Sequence, residues 1–192
     1  MFVETRMLLR SWLKNPLHIG AVAPSSRDLA EAMARLVPVG ADGPVIELGG
    51  GTGVVTDALL AAGVPPDRLV VVERDPGLHA YLAREYPDVA VVRGDAAKLA
   101  ELLRPLGIGA ARAVVSSLPI LSMSRATRHA IVEQSFALLA PGAPFIQFTY
   151  GLFSPLARRE FGIEGALRKR VLGNLPPASV WLYRRHDPAR AA

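Results

Sequence analysis

A chain of 192 residues, 51% apolar and with 22 Lys and Arg against 17 Asp and Glu, has room for one domain with a substantial core. It contains no cysteine, which excludes disulfides, thiolate catalysis and cysteine-ligated metals. No run approaches the ~20 apolar residues of a spanning helix, and Glu4, Arg6, Arg10 and Lys14 interrupt the apolar N-terminus with no small-residue cleavage site after them. Neither a membrane span nor a secretory signal is expected, and a cytoplasmic location is the default.

The formal net charge of +5 is unevenly spread. Residues 1–20 carry Arg6, Arg10 and Lys14 against Glu4, and residues 157–192 carry eight basic side chains against three acidic ones, which leaves the middle at −2. An anionic partner would therefore be met by the two ends.

In chain order, residues 2–14 read as a helix stopped by Asn15-Pro16. Residues 20–26 form a loop, and Ser26 is placed to cap a helix over Arg27–Leu36. The pattern then alternates: strand Pro44–Leu48, a glycine loop, helix Val54–Ala62, strand Leu69–Glu73, helix Gly77–Glu85, strand Val89–Arg93, helix Ala97–Leu103, strand Ala113–Ser116, helix Arg125–Leu139 and strand Phe145–Tyr150. Arg168–Leu172 and Ser179–Arg185 read as an antiparallel hairpin turned by Pro176-Pro177. Continuous Val, Ile and Leu runs fit parallel strands covered on both faces.

The strongest motif is Val45-Ile46-Glu47-Leu48-Gly49-Gly50-Gly51-Thr52-Gly53, a strand running into glycines at the start of a helix. Bare positions there let backbone approach a nucleotide. A dinucleotide fingerprint needs Gly-x-Gly-x-x-Gly/Ala, and counting from Gly49 puts Val54 at its last position. The spacing is instead Gly49-x-Gly51-x-Gly53 behind Glu47. A pyrophosphate at this helix N-terminus would meet the repulsion of Glu47, whereas a ligand bearing an ammonium and a sulfonium would not.

This acid-x-Gly-x-Gly-x-Gly pattern resembles the motif of class I S-adenosylmethionine methyltransferases. The resemblance implies a Rossmann-like α/β fold, a mostly parallel seven-stranded sheet with an antiparallel C-terminal hairpin, and S-adenosylmethionine as cofactor with S-adenosylhomocysteine as product. It implies cofactor contacts from Glu47, Gly49, Gly51, Thr52 and Gly53, and from Glu73 with Arg74 at the end of the second strand. Glu73 would accept from the ribose hydroxyls, Asp95 would accept from the adenine amino group, and Ala96 would offer its amide to the ring. Asp75 reads as a cap for the next helix.

On the acceptor side the fourth strand ends Ser116-Ser117-Leu118-Pro119-Ile120. The ribosomal RNA dimethylases share the fold but have Asn-Leu-Pro-aromatic there. This chain lacks both the amide and the ring that would hold a flipped base, which counts against RNA as substrate. Residues 20–27, Ser116–Pro119, Phe148–Gly151 with Ser154-Pro155, and Asn174–Trp181 together resemble the bacterial peripheral phospholipid N-methyltransferases. That resemblance implies methylation of phosphatidylethanolamine through its mono- and dimethyl forms towards phosphatidylcholine, with an RNA methyltransferase or a non-catalytic cofactor-binding module as alternatives.

The first helix bears on the same reading. Leu8, Trp12, Leu9, Phe2 and Leu13 share an arc of about 140° with Thr5, and Arg6, Arg10 and Lys14 lie opposite, the composition of an interfacial helix on anionic lipid. Residues 1–19 are accordingly expected to be a membrane-association helix and residues 20–192 the methyltransferase domain, peripheral on the inner face of the cytoplasmic membrane. The expected partners are that anionic surface and its lipid, with no stable nucleic-acid partner and a monomer in solution. Tyr150, Ser116 and the backbone carbonyls near Leu118 are the candidates for orienting the amine, Arg and Lys residues of the tail for holding the lipid phosphate, and Ser25 and Ser26 for contacting the cofactor carboxylate or the head group. No metal is expected.

Overall fold

The structure is a computed structural model and describes residues 26–174 and 176–186. The expected helix over residues 2–14, with Phe2, Arg6, Leu9, Arg10, Trp12, Leu13 and Lys14, lies outside the described residues, as does Ser25.

Short polar side chains start the helices where the sequence reading put them. Ser26 Oγ accepts from Leu29 N at 3.3 Å and opens α1, Arg27–Ala34. Asp75 Oδ1 accepts from Gly77 N and Leu78 N at 2.8 and 2.9 Å and opens α3, Pro76–Glu85. Ser124 caps α5, Arg125–Leu138. The helix between the first two strands, α2 over Val54–Ala61, has no side-chain cap and begins at Gly53. Two short helices complete the set among the described residues, α4 over Leu99–Leu103 and α6 over Arg158–Phe161.

The strands β1 Val45–Leu48, β2 Leu69–Glu73, β3 Ala90–Arg93, β4 Ala113–Ser116, β5 Phe145–Thr149, β6 Ile163–Val171 and β7 Ala178–Arg185 form one sheet in the order β3-β2-β1-β4-β5-β7-β6. The first five pair in parallel, and β7 runs antiparallel between β5 and β6. Every residue of β1, β2, β4 and β5 is buried. One face packs on Leu29 and Met33 of α1, Leu59 of α2 and Leu82 of α3, and the other on Leu99, Leu103, Ile131 and Phe136 of α4 and α5. At about 1.5–3 kcal/mol per buried large aliphatic side chain, these two layers dominate the stability of the fold.

Chain order reverses between β1 and β4, so loops leaving the carboxyl ends of the two strands splay apart and open a crevice there. The last hairpin is longer than the sequence pattern indicated, with β6 beginning at Ile163 rather than Arg168. It is the edge strand, buried mainly at its two ends, so its first half carries no apolar run to announce it. Gly165 is required there because a Cβ would stand 2.5 Å from the Tyr183 ring on β7.

Candidate cofactor and acceptor sites

The glycine loop is pinned from below and from the side. Gly49 N donates to Val72 O at 2.8 Å, and Gly49, Gly51 and Gly53 have φ of +79°, +55° and +86°. Glu73, at the carboxyl end of β2, ties the loop to the next helix. Its Oε2 accepts from Gly51 N at 2.9 Å and its Oε1 from Asp75 N at 2.8 Å. Arg74 beside it is exposed.

The fit of a nucleoside cofactor can be read from what a side chain would meet in this loop. A Cβ on Gly50 would stand 2.5 Å from Val71 Cγ1 and 2.8 Å from Leu82 Cδ1, so that glycine faces the core. A Cβ on Gly51 would meet nothing nearer than Gly49 O at 4.0 Å, so its bare backbone faces the open crevice beside Thr52, which is exposed. This is a cradle of the kind a nucleoside needs. Gly53 cannot be replaced without strain, because its φ is left-handed and a Cβ would run into the Tyr86 hydroxyl. Gly53→Ala is expected to cost about 2 kcal/mol of stability in urea unfolding.

Glu47 differs from its sequence reading. Its side chain is fully buried, Oε2 accepts from Thr56 Oγ1 at 2.7 Å, and Oε1 has no partner among the described residues. Burial pushes its pKa up to about 8, against the lowering effect of the Thr56 hydroxyl. A carboxyl that is mostly neutral at pH 7 cannot supply the charge repulsion with which the sequence argument turned away a pyrophosphate. The carboxylate against the loop itself is that of Glu73.

Asp95 is exposed at the end of β3, where its Oδ1 accepts from Ala97 N at 2.9 Å and caps a short turn. Its second oxygen has no partner among the described residues, and the backbone of buried Ala96 follows directly. Ser26 is occupied at both ends, its hydroxyl capping α1 and its N–H donating to Asn174 Oδ1 at 3.1 Å.

Loops after β4 and β5 meet at the other side of the crevice. Leu118 lies against the glycine loop, its Cδ2 standing 2.8 Å from where a Cβ of Gly49 would be. Leu118, Ile120, Leu121, Phe148, Tyr150 and Pro155 line much of a cleft of about 110 Å³. Tyr150 is half-buried, packs edge-on to Phe148 at 5.4 Å between ring centroids, and has the side chain of Asn174 near its hydroxyl. Burial raises its pKa.

Two acceptor-side expectations change. Ser116 is fully enclosed and its Oγ accepts from Leu118 N at 3.4 Å, so it shapes the turn instead of reaching the cleft. The carbonyl of Leu118 already accepts from Gln147 Nε2 at 3.0 Å and from Ile120 N at 2.8 Å, which occupies both lone pairs and leaves nothing for an amine. Gln147, buried in the middle of β5, escaped the sequence reading, although a lone amide within Phe145-Ile-Gln-Phe-Thr149 is the kind of buried polar residue that holds a loop.

Fold and loop geometry together define a class I S-adenosylmethionine-dependent methyltransferase. The N-methyltransferase NodS from Bradyrhizobium japonicum superposes with a TM-score of 0.68 at 14% identity over 86% of this chain and 98% of that one. The amino pentose methyltransferase CalS10 from Micromonospora echinaspora, solved with S-adenosylmethionine bound, gives 0.53 at 20% identity over 94% and 70%. Over 184 residues the chain is 32% identical to the ornithine lipid N-methyltransferase of Singulisphaera acidiphila, covering 93% of this chain and 94% of that protein. The chain belongs to that family and is an S-adenosylmethionine-dependent N-methyltransferase. It is also 32% identical to ribosomal RNA small subunit methyltransferase A of Anaeromyxobacter dehalogenans, over 90% of this chain but only 62% of that protein. No protein-family model matches.

Proposed function

We propose that this protein methylates the amine of a membrane lipid, with phosphatidylethanolamine and its mono- and dimethyl forms as substrates on the way to phosphatidylcholine. The observation that carries the reading is the similarity along almost the whole chain to a protein whose name specifies an amine-bearing lipid. The cleft is compatible with it, since about 110 Å³ at the ends of β4 and β5 has room for a small amine head group. In the sequence, Ser116 or Ser117 takes the place of the amide that would hold a purine, and Ile120 that of the ring that would stack on it. Residues 1–19 are proposed as a membrane-association segment attached to the methyltransferase domain.

For the cofactor, Gly49, Gly51, Thr52 and Gly53 would offer the loop backbone, Glu73 would accept from the ribose hydroxyls, and Asp95 and Ala96 would take the adenine edge. Bound S-adenosylmethionine supplies an electrophilic methyl group and leaves as S-adenosylhomocysteine. The protein positions the amine and keeps water away from it. Among the described residues lining the cleft, Tyr150 alone is titratable, and its raised pKa keeps it a neutral phenol. None of these described side chains therefore acts as base at neutral pH. The head group sheds its proton to solvent before it is enclosed, and Tyr150 steers the free amine with its ring, whose face also attracts the positive charge that develops on nitrogen as the methyl is transferred.

The rate of methyl transfer is expected to rise with pH through the neutral range. Tyr150→Leu, which removes the ring, should keep that slope while lowering kcat/KM by roughly tenfold, about 1.4 kcal/mol of lost positioning. A flattened profile in the variant would identify Tyr150 as the base instead. The substrate assignment is tested with methyl-labelled cofactor and vesicles of phosphatidylethanolamine, vesicles of ornithine lipid, or ribosomal RNA. Label extracted with phosphatidylethanolamine is the expected result. Label confined to ornithine lipid would move the head group, and label confined to RNA would overturn the lipid reading.

A further inference from the structure

We propose that the carboxyl edge of the sheet is the face that docks on the bilayer, with Leu152 and Phe153 inserting among the lipids beside the acceptor cleft. The proposal rests on the lipid reading above and adds a surface to it.

The apolar exposure of the described residues is one-sided. Phe153 is 84% exposed, Leu172 77%, Leu152 65% and Leu121 55%, while Val39, Leu106 and Leu167 lie between 37% and 44%. The four most exposed all sit at one edge. Leu121 follows β4, and Leu152 and Phe153 follow β5, so all three leave the carboxyl ends of parallel strands. Leu172 follows β6, whose last residue Val171 pairs with Ala178 at the start of β7, and Ser179 of β7 pairs with Thr149 at the end of β5. The hairpin tip thus lies at the same edge. Val39 precedes β1 and Leu106 precedes β4, at the opposite edge.

Charge accompanies these side chains. Arg168, Lys169 and Arg170 lie exposed on the last residues of β6 before the tip and make no ion pair among the described residues. Asp28 and Glu31 line the groove next to Lys169 and Arg170, and Glu31 is paired with Arg35. Isolated apolar side chains on separate loops, with Arg168, Lys169 and Arg170 beside the hairpin tip and the acidic Asp75 and Asp95 confined to the ends of β2 and β3, suit a fluid anionic surface. A protein partner would instead need one contiguous complementary patch. Docked this way, the cleft mouth faces the head groups, and a lipid amine reaches it without leaving the membrane.

The test uses the absence of cysteine from the chain. In the full-length protein Phe153→Cys carries an environment-sensitive fluorophore, Leu106→Cys carries the same probe on the opposite edge, and the vesicles are phosphatidylglycerol with phosphatidylethanolamine. The label at position 153 is expected to shift to the blue and become shielded from an aqueous quencher, while that at 106 stays in water. Leu152→Ser/Phe153→Ser is expected to slow methylation of vesicle lipid roughly tenfold or more through lost apolar insertion, with soluble short-chain phosphatidylethanolamine methylated within about twofold of the parent rate. A label at 153 that stays in water while the protein sediments with vesicles would overturn the docking face. So would a label shielded before any lipid is added, which would mean that another part of the chain or a second copy covers the edge. An undiminished rate on vesicles would do the same. A parent protein that methylates neither form of lipid fails at the lipid reading itself, and a parent active only on the soluble form keeps that reading and loses the docking face.

Discussion

Glu73→Ala is expected to weaken S-adenosylmethionine binding by about 100-fold or more, equivalent to about 2.7 kcal/mol, while the protein stays folded. The carboxylate accepts from Gly51 N and Asp75 N, one on the glycine loop and one at the cap of α3. Hydrogen bonds to charged groups are worth about 1.5–3 kcal/mol each, so the loop loses the support that holds its backbone in place. Any ribose contact goes with it. Glu73→Gln keeps one oxygen and should fall between variant and parent in calorimetry. Asp75→Ala, which removes only the cap of an exposed helix start, should cost about 1 kcal/mol of stability and leave cofactor affinity within about threefold. Parental affinity in Glu73→Ala would show that the crevice holds its ligand by other residues.

The second large effect concerns Glu47 and is one of stability. Its pKa is raised from an ordinary 4.5 to about 8 in the folded chain. Between those values the native state keeps a proton that the unfolded state has released. Stability is therefore complete below about pH 4.5, declines as pH rises, and levels off above about pH 8. At pH 7 the accumulated loss is roughly 3 kcal/mol, taking 1.36 kcal/mol per unit. Glu47→Gln carries no such proton and can still accept from Thr56 Oγ1, as Glu47 Oε2 does at 2.7 Å. The variant should exceed the parent by roughly 3 kcal/mol at pH 7 in urea unfolding, with the advantage shrinking towards pH 5. A difference that does not change with pH would mean that the buried carboxyl is already ionised in the native protein.

The parts of the fold set by local chemistry could be read from the chain. Ser26 and Asp75 announce α1 and α3 because a cap depends on residues two or three positions away. The apolar runs of β1, β2, β4 and β5 announce buried parallel strands because helices cover both their faces. Glu73 could be placed from its distance along the chain after Gly49. That it would hold Gly51 N as well as Asp75 N could not, since this depends on how β1 and β2 stack. Glu47 shows the limit most clearly. Spacing identifies the acid, but only burial decides its charge, and burial is a property of the assembled core. Gln147 and Asn174 went unread for the same reason. Their partners Leu118 and Ser26 are 29 and 148 positions away.

Asn174 is a single amide joining three parts of the molecule. It accepts from Ser26 N, donates to Pro176 O in the hairpin turn, and lies beside the Tyr150 hydroxyl, whose pKa it lowers. One amide thus couples the start of α1, the turn of the last hairpin and the wall of the cleft, so a change at any of the three is carried to the other two.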